Sequence, residues 1–256
     1  MGDRVPQAPN NVTEARREKF MPTVAIVLPV LQGKESAGRE LATTLKTRSA
    51  EYKESRRRAG VAVERAYLQR NPDGSSLIIA YAETDGSFAE SMASMARSEL
   101  PIDRYFFEKN REVTGIDLRN AQGSDPERTA HWISPSATAR RARGTAFTVP
   151  LLPGKLEQAR KFADEAYTER KAELTKSREA KGMTREEVFI HRTPVRDMLV
   201  AYMEGLDPAE ANRKFAASTE PFDTWFKDTM RRLFPPHIDF NKPAPAAEEL
   251  FSWERS

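Results

Sequence analysis

The sequence repeats itself. Leu28-Pro29-Val30-Leu31-Gln32-Gly33-Lys34 returns as Val149-Pro150-Leu151-Leu152-Pro153-Gly154-Lys155. Ser55-Arg56 with Gly60 returns as Ser177-Arg178 with Gly182, and the run from Leu77 to Glu83 returns from Met198 to Glu204. Pro101-Ile102-Asp103 with Tyr105-Phe106 matches Pro221-Phe222-Asp223 with Trp225-Phe226; Ile116-Asp117-Leu118 matches Ile238-Asp239-Phe240; Trp132 matches Trp253. The order is kept and the offset stays within about 120–122 residues, so the chain reads as a duplicated α+β unit of about 110 residues. Repeats are sought first because a period fixes the architecture before any local assignment does.

Both copies read alike. An apolar, β-branched strand over residues 22–31 ends at Gly33 and leads to a long charged helix over 34–59, stopped by Gly60. Residues 65–70 and 75–83 flank Asn71-Pro72-Asp73-Gly74, a hairpin signal. A helix over 87–98, another starting at Pro101 and a strand near 131–133 follow. The second copy gives a strand over 144–152, a helix over 155–181, hairpin strands over 186–192 and 197–204, helices over 207–217 and 221–233, and a strand near 249–254. The division is a tail over 1–21, a repeat over 22–135, a linker over 136–143 and a repeat over 144–256. The fold class is α+β: two tandem ferredoxin-like βαββαβ repeats. Each sheet carries helices on one face, so the bare faces are expected to pack together as an intramolecular α+β barrel.

On these motifs the chain resembles the dimeric α+β barrel superfamily, and more narrowly a tandem copy of a small uncharacterised single-repeat family. The superfamily includes cofactor-free monooxygenases, cyclases and isomerases, and haem enzymes such as chlorite dismutases. The resemblance implies a ligand cavity inside the barrel. It carries no catalytic residue over, and fold alone does not assign activity.

Strand period two names the candidate lining. Ala66 and Leu68, with Val188 and Ile190, suit a helix-packed face; Tyr67 and Gln69, with Phe189 and His191, point the other way. Tyr81 and Glu83, with Tyr202 and Glu204, are expected on that same barrel face. His191 stands where the first copy has Gln69, so one barrel can hold one asymmetric site. The expected catalytic group is His191 as general acid–base with Tyr202 and Glu204 in support. Tyr67, Gln69, Tyr81 and Phe189 would line the ligand. Arg56 and Arg178 either complement helix C-termini or clamp an acidic substrate group.

Other chemistries find little. There are no cysteines, hence no disulfide or thiolate site, and His131, His191 and His237 lack metal-ligand spacing. Gly33-Lys34 and Gly154-Lys155 lack the rest of a phosphate loop. With 41 basic and 38 acidic residues the charge nearly cancels; the short runs Arg56-Arg57-Arg58 and Arg140-Arg141 with Arg143 read as solvated surface. No nucleic-acid or membrane partner is expected, and no cofactor, haem on His191 being the alternative. The expectation is a cytoplasmic protein, monomer or homodimer, acting as an enzyme on a small apolar or aromatic metabolite. A non-catalytic binding or interaction module is the other class.

Overall fold

The computed structural model describes residues 21–120, 125–138, 141–244 and 247–255. Residues 1–20 of the expected tail and residues 139 and 140 of the linker lie outside the described residues.

The first half runs β1 (Thr23–Val30), α1 (Glu35–Thr47), α2 (Ser49–Arg58), β2 (Val61–Arg70), β3 (Ser76–Thr84), α3 (Phe88–Ala96), α4 (Pro101–Thr114) and β4 (Glu127–Ile133). The second runs β5 (Arg143–Pro150), α5 (Leu156–Asp164), α6 (Lys171–Ala180), β6 (Met183–Arg192), β7 (Asp197–Gly205), α7 (Pro208–Ala217), α8 (Pro221–Met230) and β8 (Ala247–Glu254). Gly60 and Gly182 take φ of 70° and 77° where the long helices turn into β2 and β6, a conformation that costs other residues. Ser87 and Glu90 close a reciprocal capping box on α3. Among the described residues no helix is long and apolar enough to cross a membrane.

The expected continuous helices are each interrupted. In the first half Arg48 (φ −90°, ψ 40°) breaks the helix between α1 and α2. In the second a π-turn, Glu165–Glu169, sits between α5 and α6, and the Arg170 N–H bonds the Glu165 carbonyl at 2.8 Å. Lys34 to Ser55 spans 21 positions and Lys155 to Ser177 spans 22. A π-turn is how a helix absorbs one extra residue without losing its ends.

Two four-stranded antiparallel sheets form, ordered β1-β3-β2-β8 and β4-β6-β7-β5. Each sheet therefore takes its fourth strand from the other half of the chain. The exchanged strands carry the matched tryptophans. Trp253 and Phe251 of β8 pack edge-on against Tyr52 of α2, at 5.6 and 4.9 Å between centroids. Trp132 of β4 donates its Nε1–H to Thr175 of α6 at 2.9 Å.

Three apolar layers result. Two lie between helices and sheet, one per half; the third joins the bare sheet faces and contains Tyr67, Ile79, Tyr81, Phe189, Val200 and Tyr202. Ala66, Leu68, Val188 and Ile190 pack on the helix side, as alternation along the strands requires. Burying one such large side chain stabilises the fold by about 2–3 kcal/mol, so the central layer alone couples the sheets firmly.

Candidate functional site

Around Tyr81 and Tyr202 the space between the sheets is filled by side chains. Tyr81 and Tyr202, at equivalent positions of β3 and β7, stack across it at 3.7 Å and 9°. The Tyr81 hydroxyl lies 2.6 Å from Glu83 and 3.0 Å from Glu187; the Tyr202 hydroxyl donates to Glu204 at 2.5 Å. Arg141, from the linker, spans the carboxylates of both halves: its Nη1 is 2.5 Å from Glu83 and its Nη2 2.5 Å from Glu204. Arg185 reaches Glu83 and Glu187 at 3.2 and 3.1 Å. Burial alone would raise the Glu83 carboxyl, but Arg141, Tyr81 and Arg185 outweigh it and hold the group below its usual range. Burial, then the adjacent carboxylates, pushes both phenols well above 10. Tyr202 and Glu204 are thus together, but as parts of an ion lattice.

Gly144, at the start of β5, belongs to this lattice through what it lacks. A Cβ there would stand 2.6 Å from the Tyr67 hydroxyl and 2.9 Å from that of Tyr202. Its counterpart Thr23 instead donates to Glu187 at 2.6 Å. Sequence reasoning missed Arg141, Arg185, Glu187 and Gly144. The available signal was the charge inversion between matched positions, Arg65 in β2 against Glu187 in β6.

His191 lies elsewhere. It pairs in register with Met198, and Tyr202 stands four residues along β7, roughly 13 Å away at ~3.3 Å per residue. Its Nδ1 accepts the Val27 N–H of β1 at 3.0 Å. Gln69 does the equivalent in the other half, accepting the Thr148 N–H and donating to the Thr148 carbonyl of β5, both at 2.9 Å. The residues differ while the bridge between sheets is kept. With the Nδ1 lone pair engaged, the ring proton sits on Nε2, and burial lowers the pKa below 6.5. His191 is a neutral imidazole offering an N–H. An axial haem ligand needs a lone pair on the coordinating nitrogen, so Nε2 in this tautomer does not fit haem. Among the described residues no three His, Cys, Asp or Glu side chains are grouped to hold a metal ion.

Arg56 and Arg178 face the helices, not the barrel. Each is buried and binds a strand carboxylate at 2.5 Å: Arg56 to Glu64, Arg178 to Glu186. Ser55 and Ser177 donate to the buried Asp103 and Asp223 beside them. The guanidinium of Arg178 lies over Phe215 and Phe226 at 4.9 and 4.8 Å. Tyr52 completes the first-half cluster, donating to Glu64 at 2.7 Å.

At this place the halves diverge most. The first half holds a pocket of about 80 Å³ between helices and sheet; in the second half that layer is one part of a pocket of about 1230 Å³ that also runs to the barrel end and out to the adjoining loops. The larger one is walled by Phe147, Phe162, Phe215, Phe226 and Phe234, with Tyr167, Arg178 and Glu186 as polar groups. A second arm reaches the barrel end at Gln69, Thr148, His191 and Met198. Leu174 stands where the first half has Tyr52.

The family of unknown function DUF6176 matches residues 21–129 and again 144–245. No curated protein matches the chain. Among solved structures the chain is similar to a candidate monooxygenase from Fusobacterium nucleatum subsp. nucleatum, at 9% identity over 92% of this chain and 95% of that one, TM-score 0.50. It is also similar to an anthrone oxidase-like protein, at 10% identity over 91% and 92%, TM-score 0.51. At such identities the likeness is one of fold.

Proposed function

The chain belongs to the family of unknown function DUF6176, and we propose that it binds a small, largely apolar or aromatic molecule in the cavity of its second half. One observation carries this reading: the first half leaves about 80 Å³ between helices and sheet, whereas the corresponding layer of the second half opens into a pocket of about 1230 Å³ in all. A duplicated fold that fills this layer once and opens it once has acquired room for something. Small-molecule sites typically measure ~300–1,000 Å³ and combine apolar walls with few polar groups, as this one does.

The chemistry such a site supports is that of a cofactor-free oxygenase or a cyclase; of the two similar folds, one is named a monooxygenase and the other anthrone oxidase-like. Both reactions build negative charge on a substrate oxygen. A neutral imidazole N–H held by its other nitrogen is suited to receive that charge, and His191 has this arrangement. The stacked tyrosines and their carboxylates act as scaffold.

The test is cavity filling. Ala163, buried in α5 and lining the space, is replaced by Phe. Flat aromatic probes such as anthrone and naphthalene are titrated calorimetrically, with oxygen uptake followed in parallel. The wild type should bind with micromolar affinity, and Ala163→Phe should bind at least tenfold more weakly while melting at the same or a higher temperature. A wild type that takes up none of these probes overturns the reading. Binding without turnover would keep the cavity and remove the catalytic part.

A further inference from the structure

We propose that the ligand is an elongated, flexible apolar chain ending in a neutral acceptor oxygen, with the chain in the phenylalanine-walled layer and the oxygen on the Nε2–H of His191. This rests on the binding reading above and names the class of molecule.

The shape follows from the walls. Both faces of one sheet line the pocket. Phe147 of β5 and Leu199 of β7 pack on the helix side, whereas Thr148 and Met198, next to them in sequence, face the opposite sheet. Paired strands ~4.8 Å apart leave no passage between them. The space therefore turns round the end of the sheet, where Pro150 of β5 and the hairpin 193–196 line it. Stacked layers lie about 10 Å apart, the reach of an extended chain of about eight carbons. A chain with free torsions follows such a bend; a fused-ring system does not.

His191 supplies the polar end. With Nδ1 accepting the Val27 N–H at 3.0 Å, the ring proton is on Nε2. That N–H remains accessible in a half-buried lining residue, and among the described residues it donates to no protein group. Gln69, the matched residue, differs here. Its amide donates to the Thr148 carbonyl and to the Asn71 side chain, both at 2.9 Å, which leaves no hydrogen for a ligand. The two residues make the same bridge between sheets, and only the imidazole has a donor to spare.

The neutrality of the oxygen follows from the surrounding charges. Burial alone lowers the His191 pKa, so no fixed charge acts on the ring. Arg178 and Glu186 bind each other at 2.5 Å in the helix layer, while Arg192 and Lys242 extend into solvent at the loops. A carboxylate seated on His191 would be desolvated without a counter-charge, whereas a ketone, aldehyde or ester oxygen loses little.

Calorimetric titration of the full chain, of Ala163→Phe and of His191→Gln tests both ends. The wild type should bind 2-octanone about tenfold tighter than 1-octene, the worth of one buried hydrogen bond. It should bind 2-decanone at least tenfold tighter than the rigid 2-acetonaphthone, and tighter than decanoate. Ala163→Phe, which fills the helix layer, should weaken 2-decanone at least tenfold and leave 2-hexanone unchanged. His191→Gln, which keeps the Val27 bridge, should weaken both ketones about tenfold and spare 1-octene. One molecule spanning both arms requires that the long ketone respond to both substitutions; a response to only one overturns the inference. The wild-type comparisons decide alone if the variants fold poorly. Equal affinity for 2-octanone and 1-octene, 2-acetonaphthone matching 2-decanone, or decanoate as the tightest ligand also overturns it, while the cavity reading stands. The same holds if naphthalene binds and no chain does. If no probe of either kind binds, both fall.

Discussion

At position 191 the second half carries an imidazole where the first carries the amide of Gln69, and both hold a backbone amide of the facing sheet. The two side chains are alternative solutions to one geometric demand, which sets a sharp expectation. His191→Gln should keep the Val27 bridge and change stability by less than about 0.5 kcal/mol. His191→Ala, which orphans the Val27 N–H, should cost about 1–2 kcal/mol. The pH dependence separates them further. Burial depresses the His191 pKa below 6.5, so the folded state holds the ring neutral while the unfolded chain takes up a proton. That contribution is fully present above pH 6.5 and is lost as pH falls through 6.5 towards the depressed folded value. Urea unfolding at pH 7, 6 and 5 should show a shallower acid loss in His191→Gln. His131, also depressed by burial, supplies part of the remaining slope. An unchanged slope would mean that His191 is not buried neutral.

Among the elements, what the sequence disclosed and what it hid have separate physical causes. Strand alternation is rigid, so one matched pair of strands fixed the faces of Tyr67, Tyr81, Phe189 and Tyr202. Strand partnership is different: a short strand with one tryptophan satisfies either sheet equally, and nothing in β4 or β8 says which it joins. The π-turn left only a change of spacing from 21 to 22 positions, invisible in composition. Arg141 read as solvated surface because a basic linker has the same composition whether its side chain lies in water or between two carboxylates. The exchange of β8 makes a prediction of its own. A chain ending at residue 246 loses the strand that pairs with β2 from Val63 to Gln69, together with the Phe251 and Trp253 contacts of Tyr52. Hydrogen exchange should then quicken in β2 of the first half, while β6, still paired with β4, stays protected. Faster exchange in β6 with β2 unaffected would refute the exchanged arrangement.

For the whole molecule the consequence is that the halves cannot part without breaking a sheet or a buried charge lattice. Arg141 is the point where this is most easily tested, since it joins Glu83 of one half to Glu204 of the other from the segment that connects them. Removing one partner of a buried ionic group costs more than the group's net worth, because the charges left behind stay desolvated. Arg141→Gln should therefore destabilise the chain by roughly 3 kcal/mol at pH 7, with Arg185 still neutralising part of the cluster. In the wild type the depressed Glu83 contributes stability that is present above pH 4.5 and is lost as pH falls through its lowered folded value. In Arg141→Gln the balance should reverse: burial, opposed now by Tyr81 and Arg185 alone, lifts Glu83 above its unfolded value. The folded variant then takes up a proton more readily than the unfolded chain, so acidification from pH 7 to 5 should recover part of the lost stability. Urea unfolding of both proteins at pH 7 and pH 5 measures the difference directly. A deficit that narrows with acid identifies Arg141 as the counter-ion of a buried carboxylate shared by the halves. A deficit below 0.5 kcal/mol, or one equal at both pH values, would leave the aromatic stack of Tyr81 and Tyr202 as the chief bond between them.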